Sequence, residues 1–140
     1  MGSYKSHAEL EVLNLSKWKW ETKTSYPYHS DIAYHANVVH ESKFIVFGGY
    51  TSSSDKVATV ASFSKDKWKE LGALHNPRSS HNCITSQNRF LMVGDEKMAE
   101  SCILEGNAIS CSQHEPTIGQ FPQLFNVNIE YCQIIKQQLY

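Results

Sequence analysis

The apolar positions of this chain fall into short runs set off by glycine, serine and charged residues. Ala36-Asn37-Val38-Val39-His40 predicts a first strand, with Ser42 as a turn residue. Lys43 to Phe47 follows, carrying the unbroken run Phe44-Ile45-Val46-Phe47, the pattern of a strand covered on both faces. Gly48-Gly49 ends that run, because paired glycines favour turns and permit positive φ. Tyr50 to Lys56 is a serine-rich polar loop. Val57, Val60 and Phe63 then mark a third strand, and Lys67 to Leu71 a fourth. The connections between neighbours are short, so antiparallel pairing is expected.

The pattern repeats. Val12 corresponds to Val60, Leu15 to Phe63, Ser16-Lys17 to Ser64-Lys65 and Trp20 to Trp68, at an offset of 48 residues. His35 through Gly48-Gly49 corresponds to His81 through Gly94-Asp95 at an offset of 46. Two separate matches at nearly one period point to a repeat architecture with a unit of roughly 50 residues.

These residues resemble the kelch family. Its hallmark is an apolar strand ending in Gly-Gly, followed by a loop, an aromatic residue and a spaced Trp. Phe47-Gly48-Gly49, Phe63 and Trp68 supply that pattern, and Pro77-Arg78-Ser79-Ser80-His81 resembles the family's lead-in to a new blade. The resemblance covers about residues 8 to 113. It departs from the family where Phe63 replaces Tyr, where Asp95 follows Gly94 in place of a second glycine, and where Ile109 stands at the position of Trp68 and Trp20.

The fold implied is all-β: a partial kelch-type β-propeller of four-stranded antiparallel blades. Residues 1–34 would hold half a blade and a linker, 35–80 a complete blade and linker, and 81–113 a degenerate blade. Residues 114–140 would form a tail with a strand at 125–131, where Phe125, Val127, Ile129 and Tyr131 alternate with polar residues. Ten blade strands fall short of a closed ring, which takes 4 to 8 blades. The expectation is therefore a piece of a larger propeller, completed by further blades of a parent chain or by an oligomer.

By resemblance, the function implied is a non-catalytic protein-binding scaffold that meets its partner through loops on one propeller face. In a longer chain the same unit would be the substrate-recognition part of a cullin-type ubiquitin ligase adaptor. The loops after the second and fourth strands lie at one end, and Tyr50, His75 and Arg78 are their candidate contacts, since Tyr and Arg are enriched at binding hot spots. Some propellers of this kind are enzymes, copper-radical oxidases among them. Those need a converging set of Tyr, His, Cys or acidic ligands, and the sequence shows none, so no catalytic residue and no cofactor are expected.

Charge and composition narrow the partners. Apolar residues make up 41% and charged residues 19%, which suits a folded domain. The 13 basic and 14 acidic residues leave a net charge of −1, so broad attraction to nucleic acid is not expected. The apolar runs are too short to span a bilayer, and membrane insertion is not expected either. Seven histidines raise the question of a metal. His35 and His40 would point to opposite faces of a strand, and His35 and His81 are repeat equivalents, which favours a structural role. Asp55, Asp95, Glu96 and Glu100 read as solvated loop residues.

Four cysteines, Cys83, Cys102, Cys111 and Cys132, include no C-x-x-C pair. Gly106-Asn107 signals a tight hairpin. Counting outward from it sets Glu105 opposite Ala108, Leu104 opposite Ile109, Ile103 opposite Ser110 and Cys102 opposite Cys111. A Cys102–Cys111 disulfide is feasible there, and is expected if the protein matures in an oxidising compartment; in a cytosol both would be reduced. Asn14-Leu15-Ser16 is a glycosylation sequon that matters only in the extracellular case.

Overall fold

A computed structural model describes residues 9–114. Among them every regular element is a strand. β1 (Glu11–Asn14) and β2 (Lys19–Thr22) form a hairpin. β3 (Ala36–His40), β4 (Lys43–Tyr50), β5 (Lys56–Ser64) and β6 (Lys67–Ala73) form one antiparallel sheet in chain order. β7 (Asn82–Ser86), β8 (Arg89–Gly94), β9 (Glu96–Glu105) and β10 (Ala108–His114) form a second sheet with the same order. The two four-stranded sheets are thus copies of one plan, at the period read from the sequence.

Local chemistry sets the turns. Glu41-Ser42 and Lys65-Asp66 hold positive φ at both positions, the hairpin geometry whose twist matches that of the flanking strands. At the opposite end β4 does not stop at the glycines. It runs through Gly48 and Gly49 to Tyr50, with a register shift between Phe47 and Gly49. Gly48 has φ +57, and a Cβ there would lie 2.6 Å from the Arg78 carbonyl oxygen, so only glycine fits. The second sheet repeats the irregularity between Met92 and Gly94, where Asp95 adopts φ 66.

The period-2 alternation explains the unbroken apolar run of β4. Ile45 and Phe47 face the second sheet and join Ala36, Val60 and Leu71 against Phe90, Met92, Cys102, Leu104 and Ile109. The Phe47 and Phe90 rings meet at 5.3 Å between centroids. Phe44 and Val46 face the other way, against Tyr26, Ile32, Ala61 and Trp68. Each fully buried Ile, Val, Leu or Phe in such a seam contributes about 1.5–3 kcal/mol. The sheets stack strand on like strand, β3 against β7 and β6 against β10.

The first hairpin departs from the repeat: Trp20, the equivalent of Trp68, is 62% exposed. Trp68 sits among Tyr26, Phe44 and Phe63, at ring separations of 5.0, 6.5 and 5.2 Å, and its Nε1 donates to the Thr24 carbonyl at 2.8 Å. The hairpin approaches β6 through the segment after β2 instead of through Trp20: Lys23 pairs with Asp66 at 3.2 Å, and Thr24 donates to the Asp66 carbonyl.

The β9–β10 register places Cys102 opposite Cys111, and the structure joins them in a disulfide across 4.1 Å between Cα atoms. The strand expected at 125–131 lies outside the described residues.

Candidate functional site

Three loops meet at the end of the sheets away from the tight turns. Ser52 N–H donates to Asp31 at 3.0 Å, fastening the loop after β4 to the segment before β3, and the Ser52 hydroxyl together with that N–H keeps the Asp31 carboxyl below the ordinary range. Within that loop Thr51 N–H donates to the Asp55 carbonyl at 3.0 Å and Ser53 Oγ to the Asp55 carboxylate at 3.0 Å. Gly49 N–H donates to the Arg78 carbonyl at 2.7 Å, and Ser80 N–H to the Tyr34 carbonyl at 2.7 Å. The loop after β6 is thereby pinned to the first sheet along its length.

At the centre lies a buried ion pair. Arg78 Nε donates to Glu100 Oε1 at 3.0 Å, and both side chains are fully buried. Arg78 Nη1 donates to the Gly94 carbonyl at 3.0 Å and Nη2 to the Met98 carbonyl. Glu100 also accepts from the backbone N–H groups of His75 at 2.6 Å and Asn76 at 2.9 Å. A buried charge is tolerable only with its hydrogen-bonding capacity met in this way. The pair carries the loop after β6 onto β9 of the second sheet, and the Arg78 carbonyl carries it onto β4 of the first.

Two further groups frame it. Burial would raise the Asp95 carboxyl, but the Ser79 N–H at 2.8 Å and the Lys56 ammonium at 3.1 Å outweigh that and hold it below the usual range. Lys56 is raised in turn by Asp95 and Glu96. His81 is buried, and neither ring nitrogen has a hydrogen-bond partner. Desolvation, with Arg78 nearby, lowers its pKa to about 4. The imidazole is therefore neutral near pH 7 and packs over the bare Gly48 Cα, where an added Cβ would lie 3.2 Å from its Cε1.

The three expected contact residues separate. His75, just after β6, is exposed and Tyr50, at the end of β4, is half-buried, while Arg78 has no exposed surface. Arg78 is a brace for the loop and not a contact, because three of its nitrogens are spent inside the protein. Glu100, read from the sequence as a solvated loop residue, is its buried counter-charge on a strand. The signal for it was the alternation Met98, Glu100, Cys102, Leu104 along one face of β9, an acid among apolar neighbours that requires a cation opposite. Gly94 ends β8 with φ 101. Asn14 caps the β1–β2 turn, accepting from Ser16 and Lys17 N–H and donating Nδ2 to Glu21 at 3.1 Å, so a glycan on Nδ2 would compete with that bond. Carboxylate and sulfur atoms of Glu100, Cys102 and Cys111 lie within 4.8 Å of one another, but the sulfurs are bonded to each other and both Glu100 oxygens are engaged.

No family model matches the chain, and no curated protein matches it. The fold is similar to that of the solved structure of YjhT, with a TM-score of 0.57 at 14% identity. The match covers 67% of this chain and 34% of YjhT, so it spans about a third of that protein's length.

Proposed function

We propose that this chain is a segment of a kelch-type β-propeller that acts as a non-catalytic scaffold, gripping a protein partner with its loop end. The observation that carries the reading is the braced loop after β6. Its interior is fixed to both sheets by Arg78 and Glu100, while His75 within it is exposed and Tyr50, at the same end of the sheet, is half-buried. Blades that stack face to face present every such loop at one end, and a rigid rim of this kind suits recognition because little conformational freedom is lost on binding. The Gly48-Gly49 bulge, the repeated register shift at Gly94 and the caged Trp68 support the kelch assignment. Two stacked sheets and a hairpin are fewer than the 4 to 8 blades of a closed ring, which supports a larger assembly.

The test is site-specific photo-cross-linking in the cells that make the protein. A photoreactive residue at position 50 or 75 should capture one discrete protein. The same group at Asn107, exposed in the opposite turn, should not. Equal capture from all three positions, or none from 50 and 75, rejects the loop end as the binding face.

A further inference from the structure

We infer that Tyr34 is an anchor of the binding rim, and that the partner segment it meets presents an arginine. This rests on the scaffold reading and names the chemistry of the partner. Tyr34 stands one residue before His35, as its repeat equivalent Ser80 stands before His81. Both are held in the left-handed region, at φ 53 and φ 50. The repeat itself therefore demands that backbone, and a bulky aromatic is the poorer fit to it. Packing does little to offset the strain. Tyr34 is 51% exposed, and among the described residues its ring meets no other aromatic ring.

Hydrogen bonds fix its place at the loop end. Ala33 N–H donates to the Tyr50 carbonyl at 2.9 Å, and Tyr50 N–H to the Ala33 carbonyl at 2.8 Å. The Tyr34 carbonyl accepts from Ser80 N–H at 2.7 Å. Tyr34 is thus held between the loop after β4 and the loop after β6. An exposed tyrosine on a backbone fixed in advance suits an anchor, because little freedom is lost when a partner covers it.

Charge selects the occupant. At this end Asp31, Asp55, Asp95 and Glu96 stand against Lys56 and Lys97, while Arg78 and Glu100 neutralise each other inside. Lys56 is divided between Asp95 at 3.1 Å and Glu96 at 3.3 Å. Asp55 is exposed, and among the described residues it forms no ion pair. Negative charge is therefore in excess around an open phenol ring. A guanidinium answers both features, stacking on an aromatic face and pairing with a carboxylate through two N–H groups. A phosphate-bearing partner would be repelled.

The probe is the blocked peptide acetyl-Gly-Arg-Gly-Arg-Gly-amide, titrated into the full chain and followed by amide NMR shifts. Binding should centre on residues 31–34 and 50–55, weaken with added salt, and be absent for the same peptide with citrulline in place of arginine. Tyr34→Ser, which installs the residue of the equivalent position, should weaken it about fivefold while the thermal midpoint stays unchanged or rises. Asp55→Asn should weaken it about threefold. The proposal is overturned if the arginine peptide does not bind, if the citrulline peptide binds as well, or if Tyr34→Ser binds like wild type. In cells, Tyr34→Ser should also reduce photo-cross-linking from position 50. Undiminished capture by that variant overturns the anchor and leaves the loop end as the binding face. No capture by the wild type overturns the scaffold reading and the anchor with it.

Discussion

Arg78 and Glu100 hold the loop end together by a bond whose loss leaves a charge stranded in apolar surroundings. Arg78→Met and Glu100→Leu should each lower the unfolding free energy by about 3–5 kcal/mol. The double variant should cost less than the sum, since it removes both charges together. Urea denaturation of the four proteins gives the coupling. His81 makes a second prediction at this scale. Its unfolded value of 6.5 falls to about 4 in the folded chain. The unfolded state thus binds the proton first, and stability should decline as pH drops from about 6.5 toward 4, then level off. Denaturation midpoints across that window should show the slope, and His81→Asn should flatten it. Neither feature is plain in the sequence. Arg78 reads as a surface residue because it follows a proline in a polar loop, and only the face it shares with Glu100 in three dimensions reveals its partner.

Hairpins were the most legible elements. Gly106-Asn107 fixes the turn, the turn fixes the register, and the register brings Cys102 opposite Cys111. The bridge closes a short loop, with a sequence separation of 9. Replacing both cysteines by serine should cost about 2–3 kcal/mol, read by thermal or chemical denaturation under non-reducing conditions. Two elements were less legible. β4 continues past its glycines because a bulge lets Gly49 and Tyr50 pair onward with Val57 and Lys56, which composition alone reads as a stop. The β1–β2 hairpin carries the same apolar spacing as β5–β6, yet Trp20 lies open, because burial depends on what covers a strand and not on its own pattern.

At the scale of the molecule, the period near 48 residues foretold two sheets of one design and a preceding hairpin, ten strands among the described residues. It could not foretell how the sheets are locked. The apolar seam of Ile45, Phe47, Phe90 and Met92 supplies attraction without direction, and the loop after β6 supplies the fixed geometry through Glu100 on one side and Gly49 on the other. Locked in this way, the two sheets form one unit that holds the loop rim rigid. Native-state amide hydrogen exchange of the full chain, wild type and Arg78→Met, tests this most directly. Shared stability predicts that the slowest amides of β4 and β8 exchange with one common free energy and that Arg78→Met lowers both equally. Loss of protection in β8 with β4 unchanged would contradict it, and would mean that the loop end is a hinge between two independent sheets.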